Sequence, residues 1–320
     1  MLVSKGAKGS GNKGLSGFRG WRERGPLACV PPGAVLSPEL VRALNAEYER
    51  PGSWWTRVAD DPQAFLIFRR GAVFVLLFGR LLLQVRWRNR EVECLLHEDF
   101  LAWPKKGGRY AAVGGTGIVS GGMIAGMDGF AAEYNRIRQR AARLCGLERK
   151  VADSIAARLG CVVDREFVLP GGLGCKPCYV DLAAVDGSGT LVLHEVKLYA
   201  NPETRGRTLP RMVEQIDHYE QQIMENGDRL VEKANRRLET ARVLSGRFFA
   251  THIPQHPVRR IHPRVRLIVT GLDNAQKRHF EHRVRAGLEA SFAWPRAASD
   301  ILVFCEPKRI RADHLVEGLG

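Results

Sequence analysis

The sequence predicts a mixed α/β core. The chain has 320 residues, of which 45% are hydrophobic and 26% charged, so it can form a packed core and is neither disordered nor fibrous. In its second half, stretches with helical spacing of apolar residues alternate with short β-branched and aliphatic runs, an order that is typical of an α/β core.

The first half predicts a small α+β module over residues 28–105. Ser37-Pro38-Glu39 combines an N-cap, a proline at the first helical position and a first-turn acid, so a helix is expected over 38–49. Beyond it, turn signals such as Arg-Gly and Arg-Asn separate short apolar runs, which predicts an antiparallel meander. Its strands are expected at 64–69, 72–78, 81–88 and 92–96.

Two glycine-rich segments flank this module. Residues 1–26 contain six Lys or Arg and one acidic residue, without the apolar stretch of a secretory signal, and we expect a flexible basic tail over 1–27. Glycine pairs recur over 106–129, which predicts a linker. The domain boundary is therefore placed in this linker, and the main domain is expected over 130–320.

The main domain is expected to alternate helices and strands. The first two helices are separated at Gly146, and a tight turn at Asp186-Gly187-Ser188-Gly189 joins two strands into a hairpin. Asn226-Gly227 is expected to divide a long charged helix. In chain order, the helices are expected at 130–145, 147–159, 210–245 and 273–290, and the strands at 162–169, 179–185, 191–198, 265–270 and 301–304.

The charge of the chain predicts a polyanionic partner. Lys and Arg number 49 against 34 Asp and Glu, a formal net charge of +15, and such a surplus favours nucleic acid. Arginines interrupt the most apolar stretch, 64–85, so no membrane span is expected. Seven scattered cysteines are not a disulfide framework and fit a reducing compartment. We therefore expect a soluble cytoplasmic protein.

The hairpin carries the candidate chemistry. Residues two apart on a strand share a face, so Glu195 and Lys197 are expected side by side at a strand end. The turn at 186–189 puts Asp181 opposite Glu195 on the preceding strand. Two adjacent carboxylates repel each other and one lysine neutralises half of their charge, so a hard divalent cation such as Mg²⁺ would complete the set. This pattern predicts metal-assisted phosphodiester hydrolysis.

These residues resemble the motif of a known superfamily. Asp181, a tight turn and then Glu195-Val196-Lys197 are similar to the D…ExK core of the PD-(D/E)XK nucleases. Val180 stands where many members have proline, a change that the superfamily tolerates. The resemblance covers about residues 133–307. It implies a restriction-endonuclease-like central mixed sheet flanked by helices, which agrees with the element order predicted above.

A second motif places the resemblance in one branch of the superfamily. Gln215 and Tyr219 resemble the QxxxY motif of the RecB-like branch, and their spacing puts both on one helix face. That branch often has a glutamate on the helix before the first core strand. Glu148 occupies the corresponding place, with Glu133 as the second choice.

The resemblance implies a set of roles. Asp181, Glu195 and the main-chain carbonyl of Val196 would hold Mg²⁺ or Mn²⁺, with help from Glu148. As the third catalytic residue beside Asp181 and Glu195, Lys197 would orient the attacking water. Gln215 and Tyr219 would hold the substrate near the metal. The expected activity is hydrolysis of DNA, in preference to RNA, in prokaryotic DNA repair, restriction or anti-phage defence.

Other interpretations stay open at this point. Asp181, Glu195 and Lys197 could be a salt-bridge ladder on an exposed sheet face, and Gln215 and Tyr219 the solvated face of a polar helix. The chain could be a nucleic-acid-binding protein without catalysis, or a nuclease subunit that acts only in a larger repair or defence complex. A homodimer is a further possibility.

Overall fold

The fold was analysed in a computed structural model, which describes residues 35–97, 110–113, 126–144, 146–170, 177–204 and 209–316. The predicted tail over 1–27 lies outside the described residues, as does most of the predicted linker. Two five-stranded sheets and the helices around them make up the described part. The prediction of a mixed α/β fold is therefore confirmed.

The first sheet is an antiparallel meander in the order β1-β2-β3-β4-β5. At each of its first three turns both residues have positive φ, as in Phe78 (53°) and Gly79 (78°), which is the geometry of two-residue hairpins. Its strands are β1 (Ala64–Arg69), β2 (Ala72–Leu77), β3 (Arg80–Arg88), β4 (Glu91–His97) and β5 (Tyr110–Val113). The first four confirm the predicted meander, and β5 lies inside the segment for which a linker is predicted.

Three helices accompany this sheet. The helix α1 (Pro38–Glu49) begins at the predicted N-cap, where the Ser37 side chain accepts the Leu40 amide. The short helix α2 (Trp54–Ala59), which sequence reasoning missed, buries both Trp54 and Trp55. The third is α3 (Gly126–Leu144).

The second sheet is mixed, in the order β10-β9-β8-β7-β6. Strands β6, β7 and β8 form an antiparallel meander, whereas β9 runs parallel to β8 and β10 runs parallel to β9. The parallel pair of β8 and β9 requires a crossover, which the long helix α5 supplies. The strands are β6 (Val162–Leu169), β7 (Cys178–Val185), β8 (Thr190–Leu198), β9 (Arg260–Thr270) and β10 (Ile301–Phe304).

The helices of this half follow the predicted order, with two additions. The kink predicted in α5 is present, since Asn226 has non-helical φ and ψ. A π-helical turn, Phe280–Val284, interrupts the helix predicted over 273–290. The helices are α4 (Leu147–Arg158), α5 (Leu209–Arg242), α6 (Arg247–His252), α7 (Asn274–His279), α8 (Arg285–Ser291) and α9 (Ala312–Val316). The short helices α6 and α9 were not predicted. No helix in the described ranges combines the length and hydrophobicity of a bilayer span.

Both sheets contribute to one continuous hydrophobic core. Helix α6, which comes from the second half of the chain, packs against the first sheet and α2: the ring of Phe248 packs edge-on against Phe65 of β1, with centroids 5.1 Å apart, and Phe249 packs against Trp55 of α2. Polar contacts join the sheets as well, since the Arg69 guanidinium of β1 binds the Asp164 carboxylate of β6 at 3.0 Å. The first sheet is therefore packed against the second rather than tethered to it.

Candidate active site

The candidate site lies where pairing between β7 and β8 ends. The antiparallel ladder runs as far as the Leu182–His194 pair. Past that point β7 stays paired with β6 back to Cys178, and β8 stays paired with β9 up to Leu198. We call this end, formed by residues 179–181 of β7 and 195–197 of β8, the fork.

The hairpin turn fixes which residues meet at the fork. The Asp186 carboxylate accepts the main-chain amides of Ser188 and Thr190, at 2.9 and 2.7 Å, and so closes the turn that the sequence predicts. The resulting register, continued one step past the last pair, puts Asp181 level with Glu195. Beyond the ladder, the Asp181 carboxylate itself accepts the Val196 amide at 2.9 Å.

Glu195 is a buried carboxylate that is only half satisfied. It is 4% exposed. Its Oε1 atom accepts from Lys197 Nζ at 3.1 Å and from Gln215 Nε2 at 3.3 Å, while Oε2 is buried and meets no hydrogen-bond partner among the described residues. Burial and the charge of Asp181 raise the pKa of Glu195 to about 8, although Lys197 opposes this shift. A buried carboxylate oxygen without a donor is costly unless a cation joins it.

Burial decides against the exposed salt-bridge ladder. Lys197 is 6% exposed, and its ammonium group pairs with the buried Glu195. Burial also raises the pKa of Asp181 above its ordinary value, while the Val196 amide and the charges of Arg165 and Lys197 act in the opposite direction. The three side chains therefore interact electrostatically in an interior position, and the ladder interpretation is wrong.

Gln215 and Tyr219 connect the two sides of the fork. The Gln215 amide donates both to Glu195 of β8 and to the Tyr219 hydroxyl. That hydroxyl in turn donates to the Tyr179 carbonyl of β7 at 2.9 Å. Tyr219 is buried, so the interpretation of this pair as a solvated helix face is wrong for the tyrosine.

Glu148 also reaches the fork, from the first turn of α4. Its carboxylate accepts from the Asn201 side chain at 3.2 Å and from the Leu198 amide at 3.5 Å, just beyond Lys197. Its charge contributes to the raised pKa of Glu195. Glu133, the second choice for this position, instead pairs with Arg136 on α3 at 2.6 Å.

Two residues of β6 that the sequence analysis missed lie close to the fork. Arg165 forms a fully buried ion pair with Asp153 of α4 at 2.7 Å, and its charge opposes the rise in the pKa of Asp181 that burial causes. Glu166, with a φ of 51°, stands level with Asp181 between the Arg165–Leu182 and Phe167–Val180 pairs. The signal that could have identified them is the charged run 164–166 inside an otherwise apolar strand.

The donor set at the fork suits a hard cation. Asp181, the free oxygen of Glu195 and the Val196 carbonyl supply the oxygen ligands that Mg²⁺ and Mn²⁺ prefer. In the part of the chain that the structure describes, no three His, Cys, Asp or Glu side chains are already grouped as a metal site. A cation would therefore rely on the main-chain carbonyl, water and substrate oxygens beside the two carboxylates, which is the usual coordination of Mg²⁺.

Comparisons with known proteins add no relative. No protein-family model, curated protein or solved structure matches this chain.

Proposed function

We propose that the protein is a metal-dependent nuclease that hydrolyses DNA phosphodiester bonds. One observation carries the proposal: Asp181, Glu195 and Lys197 meet in an interior position where one buried carboxylate oxygen has no donor. When Asp181 and Glu195 are both ionised, the single charge of Lys197 leaves a net negative charge that would repel a phosphate. A bound divalent cation would make the net charge of the site positive. The site could then bind a phosphate.

The carboxylates hold the cation in this proposal. Asp181, Glu195 and the Val196 carbonyl would bind Mg²⁺ or Mn²⁺, with Glu148 close enough to contribute through water. When bound, the metal would polarise the scissile phosphate and lower the pKa of the attacking water. The Val196 amide fixes the Asp181 carboxylate, and Gln215 fixes the Glu195 carboxylate, so both ligands are oriented before a substrate arrives.

Lys197 supplies the charged hydrogen-bond donor. Its ammonium group is held 3.1 Å from Glu195, on the same strand face, and would orient the attacking water or stabilise charge that develops on the phosphate. Tyr219 and Gln215 brace the two strands that carry these groups. We also propose that Gln215 and Tyr219 contact the substrate directly and hold it near the metal.

The order of elements and the net charge also support the proposal. Helix α4, strands β6 to β8, helix α5 and strand β9 follow the order of the PD-(D/E)XK core that the motifs resemble. A net charge of +15 favours a polyanionic substrate. We propose that the nuclease acts in the cytoplasm, in prokaryotic DNA repair, restriction or anti-phage defence.

The test is a cleavage assay at low salt with Mg²⁺, with Mn²⁺ and with EDTA. Wild-type protein is compared with Lys197→Ala and with Lys277→Ala, which removes the same charge at a half-exposed surface lysine. We expect metal-dependent cleavage by wild type and Lys277→Ala, and a loss of at least a hundredfold in Lys197→Ala. DNA binding without cleavage under every metal condition would contradict the nuclease and favour the non-catalytic binding protein.

A further inference from the structure

The β7 side of the fork ends in an exposed aromatic ring. Tyr179 precedes Asp181 by two residues, so both side chains project from the same face of the sheet, about 7 Å apart along the strand. Tyr179 is 41% exposed, whereas Val180 between them is fully buried on the opposite face. The ring therefore stands at the outer margin of the candidate site.

The main chain that presents this ring is held on both sides. Tyr179 pairs with Val168 of β6, and its carbonyl accepts the Tyr219 hydroxyl of α5 at 2.9 Å. Tyr219 is itself bound to Gln215, which contacts Glu195. The same hydrogen-bond chain thus fixes the candidate metal ligand and the exposed ring relative to each other, so a ligand of both would meet a pre-organised surface.

Exposed apolar side chains and a positive charge accompany the site residues. Of the six large hydrophobic side chains that are exposed in the described part of the chain, three lie within four residues of a site residue in sequence. These are Leu144 and Leu147 before Glu148, with Leu147 66% exposed, and Tyr179 before Asp181. The positive charge of Arg149 acts on the Asp181 carboxylate. Aromatic surface beside positive charge is the combination that binds single-stranded nucleic acid, by stacking and by phosphate attraction.

We propose that Tyr179 stacks on an unpaired base next to the scissile phosphate, and that the preferred substrate is single-stranded DNA. This inference rests on the proposed nuclease function, because it places a phosphate at Asp181 and Glu195. Inside a duplex both faces of every base are covered by neighbouring pairs. A ring carried about 7 Å along the strand from Asp181 can therefore stack, away from a duplex end, only on a base that has left the duplex.

Binding tests the stacking contact directly. The probe is an oligothymidylate that carries one 2-aminopurine, whose fluorescence falls when it stacks, with Ca²⁺ in place of Mg²⁺. We expect quenching with wild type and Tyr179→Phe, and no quenching with Tyr179→Ala, which should bind about tenfold to a hundredfold more weakly. Trp294→Ala is the matched control, since Trp294 is 39% exposed and lies beyond α8. Equal binding and quenching by Tyr179→Ala, or an equal loss in Trp294→Ala, would overturn the proposal.

Cleavage separates this inference from the proposed function. Wild type should cut a single-stranded oligonucleotide at least tenfold faster than the same sequence in a duplex closed by hairpins at both ends, and Tyr179→Ala should lose that preference. If wild type cuts both substrates equally fast, the stacking proposal is wrong and the nuclease stands. If Tyr179-dependent quenching occurs but no metal supports cleavage, the nuclease proposal is wrong and the stacking contact stands.

Discussion

At the scale of single residues, the candidate site is a place where charges are kept out of water at a cost to stability. The unfolded chain holds Glu195 at its ordinary pKa, whereas the folded chain raises that pKa to about 8. The folded state therefore binds more protons between these values, and the free energy of unfolding falls as the pH rises from about 4.5 to 8. A bound cation would offset this loss, because it stabilises the ionised form.

The first prediction concerns this titration. Glu195→Gln removes the charge while keeping the shape, so its melting temperature in EDTA should fall less than that of wild type between pH 5 and pH 8.5. Thermal melts at several pH values measure the difference. Mn²⁺ should then raise the melting temperature of wild type at pH 8.5 and leave Glu195→Gln unchanged. If the melting temperatures of the two proteins change with pH in parallel, Glu195 is not the cause of the pH dependence.

The second prediction concerns His194, which lies on the opposite face of β8. Burial and the charge of Arg266 lower its pKa to about 3. Because the folded-state pKa is depressed, the stability of the neutral form is fully present above pH 6.5 and is lost as the pH falls below that value. His194→Leu should therefore lose less stability than wild type between pH 7 and pH 4.5, as measured by urea unfolding. If His194→Leu loses as much stability as wild type over this pH range, the depressed pKa of His194 is not the cause of the loss.

At the scale of elements, the first sheet braces the helix that carries Glu148. The Asp153 carboxylate of α4 is bound by Arg165 and by the main chain of Phe78 and Gly79, in the turn between β2 and β3. Gly79 has a φ of 78°, and a Cβ there would lie 2.6 Å from the Arg149 carbonyl oxygen. Only glycine permits both the conformation and the approach. A role for the first sheet in positioning the site follows from this contact.

The third prediction uses two glycines with similar positive φ angles. Gly52 has a φ of 70° and open space around it, so Gly52→Ala should cost about 1 kcal/mol from backbone strain alone. Gly79→Ala should cost about 3 kcal/mol, because the clash with α4 adds to that strain. Urea unfolding gives both values, and the cleavage rate of Gly79→Ala should fall as Glu148 shifts. Equal costs for the two variants would show that the turn does not press on α4.

The sequence predicts these elements unevenly, for physical reasons. The hairpin of β7 and β8 is predictable because alternation and a four-residue turn are local signals, and they place Asp181, Glu195 and Lys197 together. Helices α2 and α6 are six residues long and have no periodic pattern to detect, since aromatic packing between these two helices and against the first sheet stabilises them. Glu166 was missed because its position beside Asp181 depends on the register between β6 and β7, which no tight turn defines.

At the scale of the whole molecule, a cluster of ion pairs around Asp164 connects the two sheets. Asp164 of β6 accepts from Arg69 of the first sheet and from Arg237 of α5. Arg69 also donates to the main-chain carbonyls of Arg165 and Glu166, next to the fork. Removing Arg69 would therefore leave buried acceptors unpaired in the strand that supports Asp181.

The fourth prediction follows from the shared core and this cluster of ion pairs. Tryptophan fluorescence, which includes Trp54 and Trp55 beside the first sheet, and far-ultraviolet circular dichroism should report one coincident urea transition. Arg69→Ala should lower the midpoint of both probes together and cost about 3 kcal/mol. Two separate transitions would instead indicate independent domains that a linker joins.

The rings of α6 that pack against the first sheet also constrain how this gene can change. A recombination event that joined the second half to an unrelated first half would leave Phe248 and Phe249 facing side chains that never coevolved with them. The hybrid would have a poorly packed hydrophobic interface next to the half that carries the candidate site. Descent of the two halves as one inherited block is the expected outcome.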